Sequence, residues 1–152
     1  MAYRLVASDL DGTLLRNDQT LSPENSAAIA HMGFYSDNIP RAERLMEECP
    51  RLIMDMTPAL IIFDELSQTP EAAKAFLRKY RRRLIYGTDG SNHPDEPVVA
   101  LNIQKTRIMK AFYTGAEPYA DGSHSVQGMA LEQDVLDDIF YRNALRFLGE
   151  TV

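Results

Sequence analysis

Apolar positions along this chain follow two rhythms. Short, nearly continuous apolar runs at residues 3–8 (YRLVAS), 51–57 (RLIMDMT) and 83–90 (RLIYGTDG) read as buried strands, and the third closes on glycine and aspartate. Between them the spacing becomes helical. The clearest case is TPEAAKAFLRKY, where Thr69 stands as N-cap, Pro70 takes the first helical position, and Ala73, Phe76, Leu77 and Tyr80 share one face. PRAERLMEEC is helical as well, with Leu45 and Cys49 four apart, and stops before Pro50. EPVVALNIQKTRIMKAFYT predicts a second long helix. LEQDVLDDIFYRNALRFLG predicts the last, with Val135, Leu136, Ile139, Phe140, Leu145 and Leu148 on its apolar side.

Other stretches are less regular. A short helix is expected from Pro23 with Ser22 as its cap, SAAIAHMGFYSDN fits either a helix end or a buried strand, and PALIIFDEL fits an apolar loop or a short helix. Gly115, Pro118, Gly122 and Gly128 mark a linker before the last helix. Strands alternating with helices predict an α/β fold: a small parallel sheet of three to four strands flanked by helices, half-barrel-like or a three-layer sandwich. At 152 residues, 45% of them hydrophobic, the chain suits one domain with one core.

Charge removes some functions. A net charge of −6 supplies no general field for a phosphate backbone, so no nucleic-acid partner is expected, and the basic run RKYRRR reads as the solvated end of a helix, where cations complement the dipole. One cysteine, Cys49, cannot form an internal disulfide, no run approaches the roughly 18 apolar residues of a membrane span, and no signal-peptide layout precedes the first strand. A soluble, cytoplasmic protein without a membrane partner is expected.

The candidate chemistry begins at DLDGT. Asp9 and Asp11 would follow the first strand, and residues two apart on a strand project to one face. Two carboxylates there call for a divalent metal or a raised pKa on one member, although an Asp-Gly turn requires neither. VASDLDGTLL followed by LSPEN resembles the first motif of the haloacid dehalogenase-like phosphatases, over residues 1–28. The resemblance implies Asp9 as phosphoryl-accepting nucleophile and Asp11 as acid/base, with Mg2+ bridging the Asp9 carboxylate and the Asp11 carbonyl. Later motifs of that family call for a strand-end Ser or Thr, a lysine and an acidic pair. Thr57 and Asp89 could mimic the first and last, whereas Lys74, Lys79, Lys105 and Lys110 all fall within predicted helices.

Residues 30–152 resemble a different family. AHMGFYSDNIPRAERLMEECPRLIMDMTP, PEAAKAFLRKYRRRLIYGTDGSNHP and VLDDIFYRNALRFLG are similar, in that order, to the C-terminal half of the amidohydrolase-type metal-dependent hydrolases. Those enzymes are (β/α) barrels, and this stretch would supply their last three strands. The resemblance implies that His31 binds or polarises substrate and that Asp89 is a metal ligand or general base. The His-x-His pair of the family's first strand and the histidine of its fifth are absent from the chain. A zinc ion would find only His31 and Asp89, short of three protein ligands. His93 and His124 read as loop histidines.

Three functions are therefore expected alternatives. One is a metal-dependent hydrolase acting on a small molecule through His31 and Asp89, with Asp9 and Asp11 replacing lost ligands, so that Asp9, Asp11 and Asp89 could hold Mg2+ or Zn2+. The second is a Mg2+-dependent phosphatase using Asp9 and Asp11. The third is a chimeric scaffold without catalysis. A partial barrel leaves sheet edges to cover, so a homodimer is expected.

Overall fold

The computed structural model describes residues 29–32, 35–57, 59–89 and 95–148. The strand expected at 3–8 and the helix from Pro23 lie outside them. Among the described residues, three strands, β1 (Ile29–His31), β2 (Ile53–Asp55) and β3 (Leu84–Ile85), pair in parallel in chain order. Ile29, Ala30 and His31 stand opposite Ile53, Met54 and Asp55, and Met54 and Asp55 stand opposite Leu84 and Ile85. The segment that fitted either helix end or strand thus enters the sheet at Ile29–His31. The broad expectation of a mixed α/β chain holds.

Helix α1 (Ile39–Glu48) starts where the Asn38 side chain accepts the Arg41 N–H at 3.1 Å and Pro40 occupies the first turn. Its end is closed from another part of the chain. Arg83 donates to the carbonyl of Met46 at 2.7 Å, one of the last carbonyls of the helix, and to that of Cys49 at 2.9 Å, which also accepts the Leu52 N–H at 2.9 Å. Helix α2 (Ile61–Leu66) resolves the PALIIFDEL ambiguity in favour of a short helix. Helix α3 (Pro70–Tyr80) matches the sequence reading, and Ala73, Phe76, Leu77 and Tyr80 are its buried residues. Thr69 occupies the N-cap position but makes no side-chain capping bond.

Helix α4 (Glu96–Thr114) is divided. Its second half buries Ile108, Met109, Phe112 and Tyr113, whereas Val99, Leu101 and Ile103 remain close to half exposed. The expected linker is corrected to an antiparallel hairpin of β4 (Pro118–Asp121) and β5 (His124–Gln127). Gly122, at φ 63°, opens its two-residue turn, a conformation that glycine adopts without steric cost. The last helix is also interrupted. Helix α5 (Gln133–Asp137) passes through a π-helical turn (Asp138–Arg142) into α6 (Asn143–Leu148).

These elements share one core, in which Met32, Met46, Met54, Met56, Met109 and Met129 fill space beside Phe63, Phe76 and Phe112. Flexible thioethers suit the irregular gaps left where helices meet strands only two or three residues long.

Candidate active site at the C-terminal edge of the sheet

Parallel pairing in chain order carries the exits of all three strands to one edge, the edge at which open parallel sheets bind ligands. The register places His31 level with Asp55, and Asp55 level with Ile85. His31, whose role came from the amidohydrolase resemblance, therefore neighbours in the sheet an aspartate to which the sequence assigned no role.

Asp55 is held by its own loop. Its Oδ1 accepts the Thr57 N–H at 2.9 Å and also the Thr57 hydroxyl. Gly87 passes so close that a Cβ at that position would overlap the Thr57 hydroxyl and come within 3.4 Å of Asp55 Oδ1. The glycine of YGTDG thus permits the β3 exit to close against the β2 exit. Two residues on, Asp89 takes up the left-handed region at φ 44°, which aspartate tolerates better than most residues. Lys105 fixes it there by donating to its carbonyl at 2.9 Å and to Oδ2 at 2.6 Å. Lys105 lies on a helix as expected, and its side chain, 12% exposed, reaches across to an aspartate that is 60% exposed.

Behind the edge stands an aromatic group. Tyr113 is fully buried, with ring centroids of Phe112 at 5.2 Å, Phe140 at 5.3 Å, Phe63 at 5.8 Å and Tyr86 at 6.3 Å. Its hydroxyl has no hydrogen-bond partner among the described residues. Burial first, then the charges of Tyr86 and Asp55, raises its pKa, so the phenol keeps its proton and remains available as a donor. Burial likewise raises the pKa of Tyr86. A cleft of about 370 Å3 lies next along the chain, lined by Tyr86, Thr106, Met109, Lys110, Thr114 and Phe140. Its side chains offer apolar surface with a few polar groups, a lining suited to a small organic molecule.

Other candidate residues fall elsewhere. Asp9, Asp11 and His93 lie outside the described residues, so their position relative to this edge is not part of the geometry. His124 is corrected from a loop histidine to a β5 residue whose Nδ1 lies 2.5 Å from Asp64 Oδ2, while the Ser125 N–H donates to Asp64 Oδ1 at 2.9 Å. Those contacts tie the hairpin to α2. Among the described residues, no three His, Cys, Asp or Glu side chains converge as a metal site. Asp55 and Asp89 are two carboxylates, fewer than the three protein ligands usual in catalytic zinc sites.

Sequence reading missed Asp55, Tyr113 and the Asp89–Lys105 contact. Asp55 carried a usable signal, a lone carboxylate inside the apolar run LIMDM. No family model matches the chain, and neither a curated protein nor a solved structure matches it at significant similarity.

Proposed function

We propose that this chain is a hydrolase of small molecules, with its site at the C-terminal edge of the sheet and related in design to the amidohydrolase-type enzymes. The carrying observation is the parallel pairing of β1, β2 and β3 in chain order, which sets His31, Asp55 and the Gly87–Asp89 loop along one edge. That order fits three consecutive barrel strands, and a half-barrel-like arrangement is part of the proposal.

In this reading Asp89 is the general base that takes a proton from water, and His31 polarises the electrophilic carbonyl. Asp55 and Thr57 hold the intervening loop, Lys105 keeps the Asp89 carboxylate oriented, and the neighbouring cleft receives the apolar part of the substrate. A bound divalent metal would supply Lewis-acid chemistry, with Asp9, Asp11 and Asp89 as its proposed ligands. The half-exposed Val99, Leu101 and Ile103 on α4 support the proposal that the chain self-associates as a dimer.

A phosphatase reading draws support from one observation. The family resembled by DLDGT requires a strand-end hydroxyl, a lysine and an acidic residue, and Thr57 follows β2 while the Lys105–Asp89 pair follows β3 at this same edge. A paired assay separates the readings. Hydrolysis of carboxylic esters, lactones or amides that is lost in His31→Ala and Asp89→Asn supports the amidohydrolase-like site. Hydrolysis of phosphate monoesters lost in Asp9→Asn supports the phosphatase. Absence of both activities, with Mg2+ and with Zn2+ supplied, would overturn the hydrolase proposal in favour of a scaffold.

A further inference from the structure

The basic run RKYRRR is not simply a solvated helix end. Arg78 pairs with Glu132, Lys79 with Glu43 at 3.3 Å and Glu47 at 2.9 Å, and Arg83 closes α1. Arg81 and Arg82 instead turn to a cleft of about 440 Å3 that they line together with Asp138, Tyr141, Arg142 and Arg146. We propose that this cleft binds a small multivalent phosphate anion, either pyrophosphate or a phosphate monoester.

The site is built around a buried acid. Asp138 is only 2% exposed; its Oδ2 lies 3.2 Å from Arg81 Nε and its Oδ1 3.1 Å from Arg146 Nη1. Asn143, 3% exposed, accepts from the same Arg146 nitrogen at 2.7 Å, and its amide donates to the carbonyls of Arg81 at 2.5 Å and Leu84 at 2.7 Å. The π-helical turn Asp138–Arg142 sets Asp138, Tyr141 and Arg142 on the cleft, and such turns recur at functional sites. Two arginines are therefore oriented before any ligand arrives.

Their charge is not exhausted by these contacts. A guanidinium carries five N–H donors, and Arg146 commits one nitrogen to the protein while Arg81 commits Nε to Asp138 and Nη1 to Asp134. Arg142 pairs with Asp137 at 3.0 Å through one nitrogen. Among the described residues Arg82 makes no ion pair, so four guanidiniums face three carboxylates within a chain of net charge −6. The side chains of Arg81, Arg142 and Arg146 are 30%, 31% and 40% exposed and open to a ligand. Planar forks of this kind match phosphate oxygens in pairs, and a divalent anion gains more from them than a monovalent one. The half-exposed ring of Tyr141, beside Arg142, offers a flat surface for the organic part of a phosphate ester.

Calorimetric titration of the full chain with pyrophosphate at low ionic strength tests the proposal. Wild type should bind, and affinity should fall about tenfold to a hundredfold in Arg82→Gln and in Arg142→Gln, the range expected for hydrogen bonds to charged groups. Arg107→Gln, at an exposed arginine outside the cleft, should leave affinity unchanged, and unaltered thermal melts would show that each variant remains folded. No binding by wild type, or equal affinity in Arg82→Gln and wild type, would overturn the proposal.

Discussion

The two ends of β3 carry opposite charge and manage it differently. Before the strand, Arg81 and Arg82 gather with Arg142 and Arg146 around the buried Asp138. After it, Gly87 and Asp89 meet Asp55, Thr57 and Lys105. Both sites are organised by hydrogen bonds, but the buried charge sits at the entrance, whereas the exit holds its aspartates in shallower surroundings. Loss of the buried Asp138 at the entrance should appear as lost stability, and loss of the exposed Asp89 carboxylate at the exit as lost chemistry.

The sharpest break is Asp138→Ala, which leaves Arg81 and Arg146 without their shared carboxylate. Removing one partner of a buried ion pair should cost about 3 kcal/mol in urea unfolding, with the partial exposure of both arginines holding it to the lower part of the usual range. Next is Gly87→Ala. Its methyl group would collide with the Thr57 hydroxyl, so a loss of about 1–3 kcal/mol is expected together with misalignment of the exit.

Thr57→Val sharpens the contrast. It removes the hydroxyl that donates to Asp55 and should cost about 1 kcal/mol, with a larger fractional effect on turnover than on stability. Asp89→Asn should change stability by less than about 1 kcal/mol, because its pair with Lys105 is largely exposed on the aspartate side, while abolishing hydrolysis.

The smallest effect is a pH dependence. Hydrogen bonds from Arg78 and Arg81 hold the pKa values of Glu132 and Asp134 below their ordinary 4.5 and 3.8. A depressed folded-state pKa contributes stability that is present above the unfolded value and is lost as pH falls through the folded one. Unfolding monitored below about pH 4.5 should show this loss, and Arg78→Gln should remove the Glu132 part of it.

Periodicity revealed the elements whose burial is one-sided. The apolar face of α3 and the bounds of α4 were legible because each is long enough for its spacing and proline start to be distinctive. Gly115, Pro118, Gly122 and Gly128 suggest a linker and so mask the hairpin. What marks it is the two-residue Gly122-Ser123 turn between short runs, with Tyr119 facing Val126 across the strands. The exit of β3 was partly legible as a strand closing on YGTDG, but the contact of Lys105 with Asp89 depends on how α4 packs and has no signal in local spacing. The entrance was illegible for the same reason: Asp138 and Arg81 stand far apart in sequence, and only the packing of the π-helical turn against the end of α3 makes one cluster of them.

The most direct test of the central claim is a thermal melt with and without Zn2+ or Mg2+ on wild type, His31→Ala, Asp89→Asn and Asp9→Asn. A metal that binds only the folded chain raises stability by about 2.7 kcal/mol at 100 times its dissociation constant. The hydrolase proposal expects a metal-dependent shift that is lost in Asp89→Asn and in Asp9→Asn, at two of the proposed ligands, and kept in His31→Ala. A shift lost in Asp9→Asn but kept in Asp89→Asn, or no shift with either ion, would contradict it.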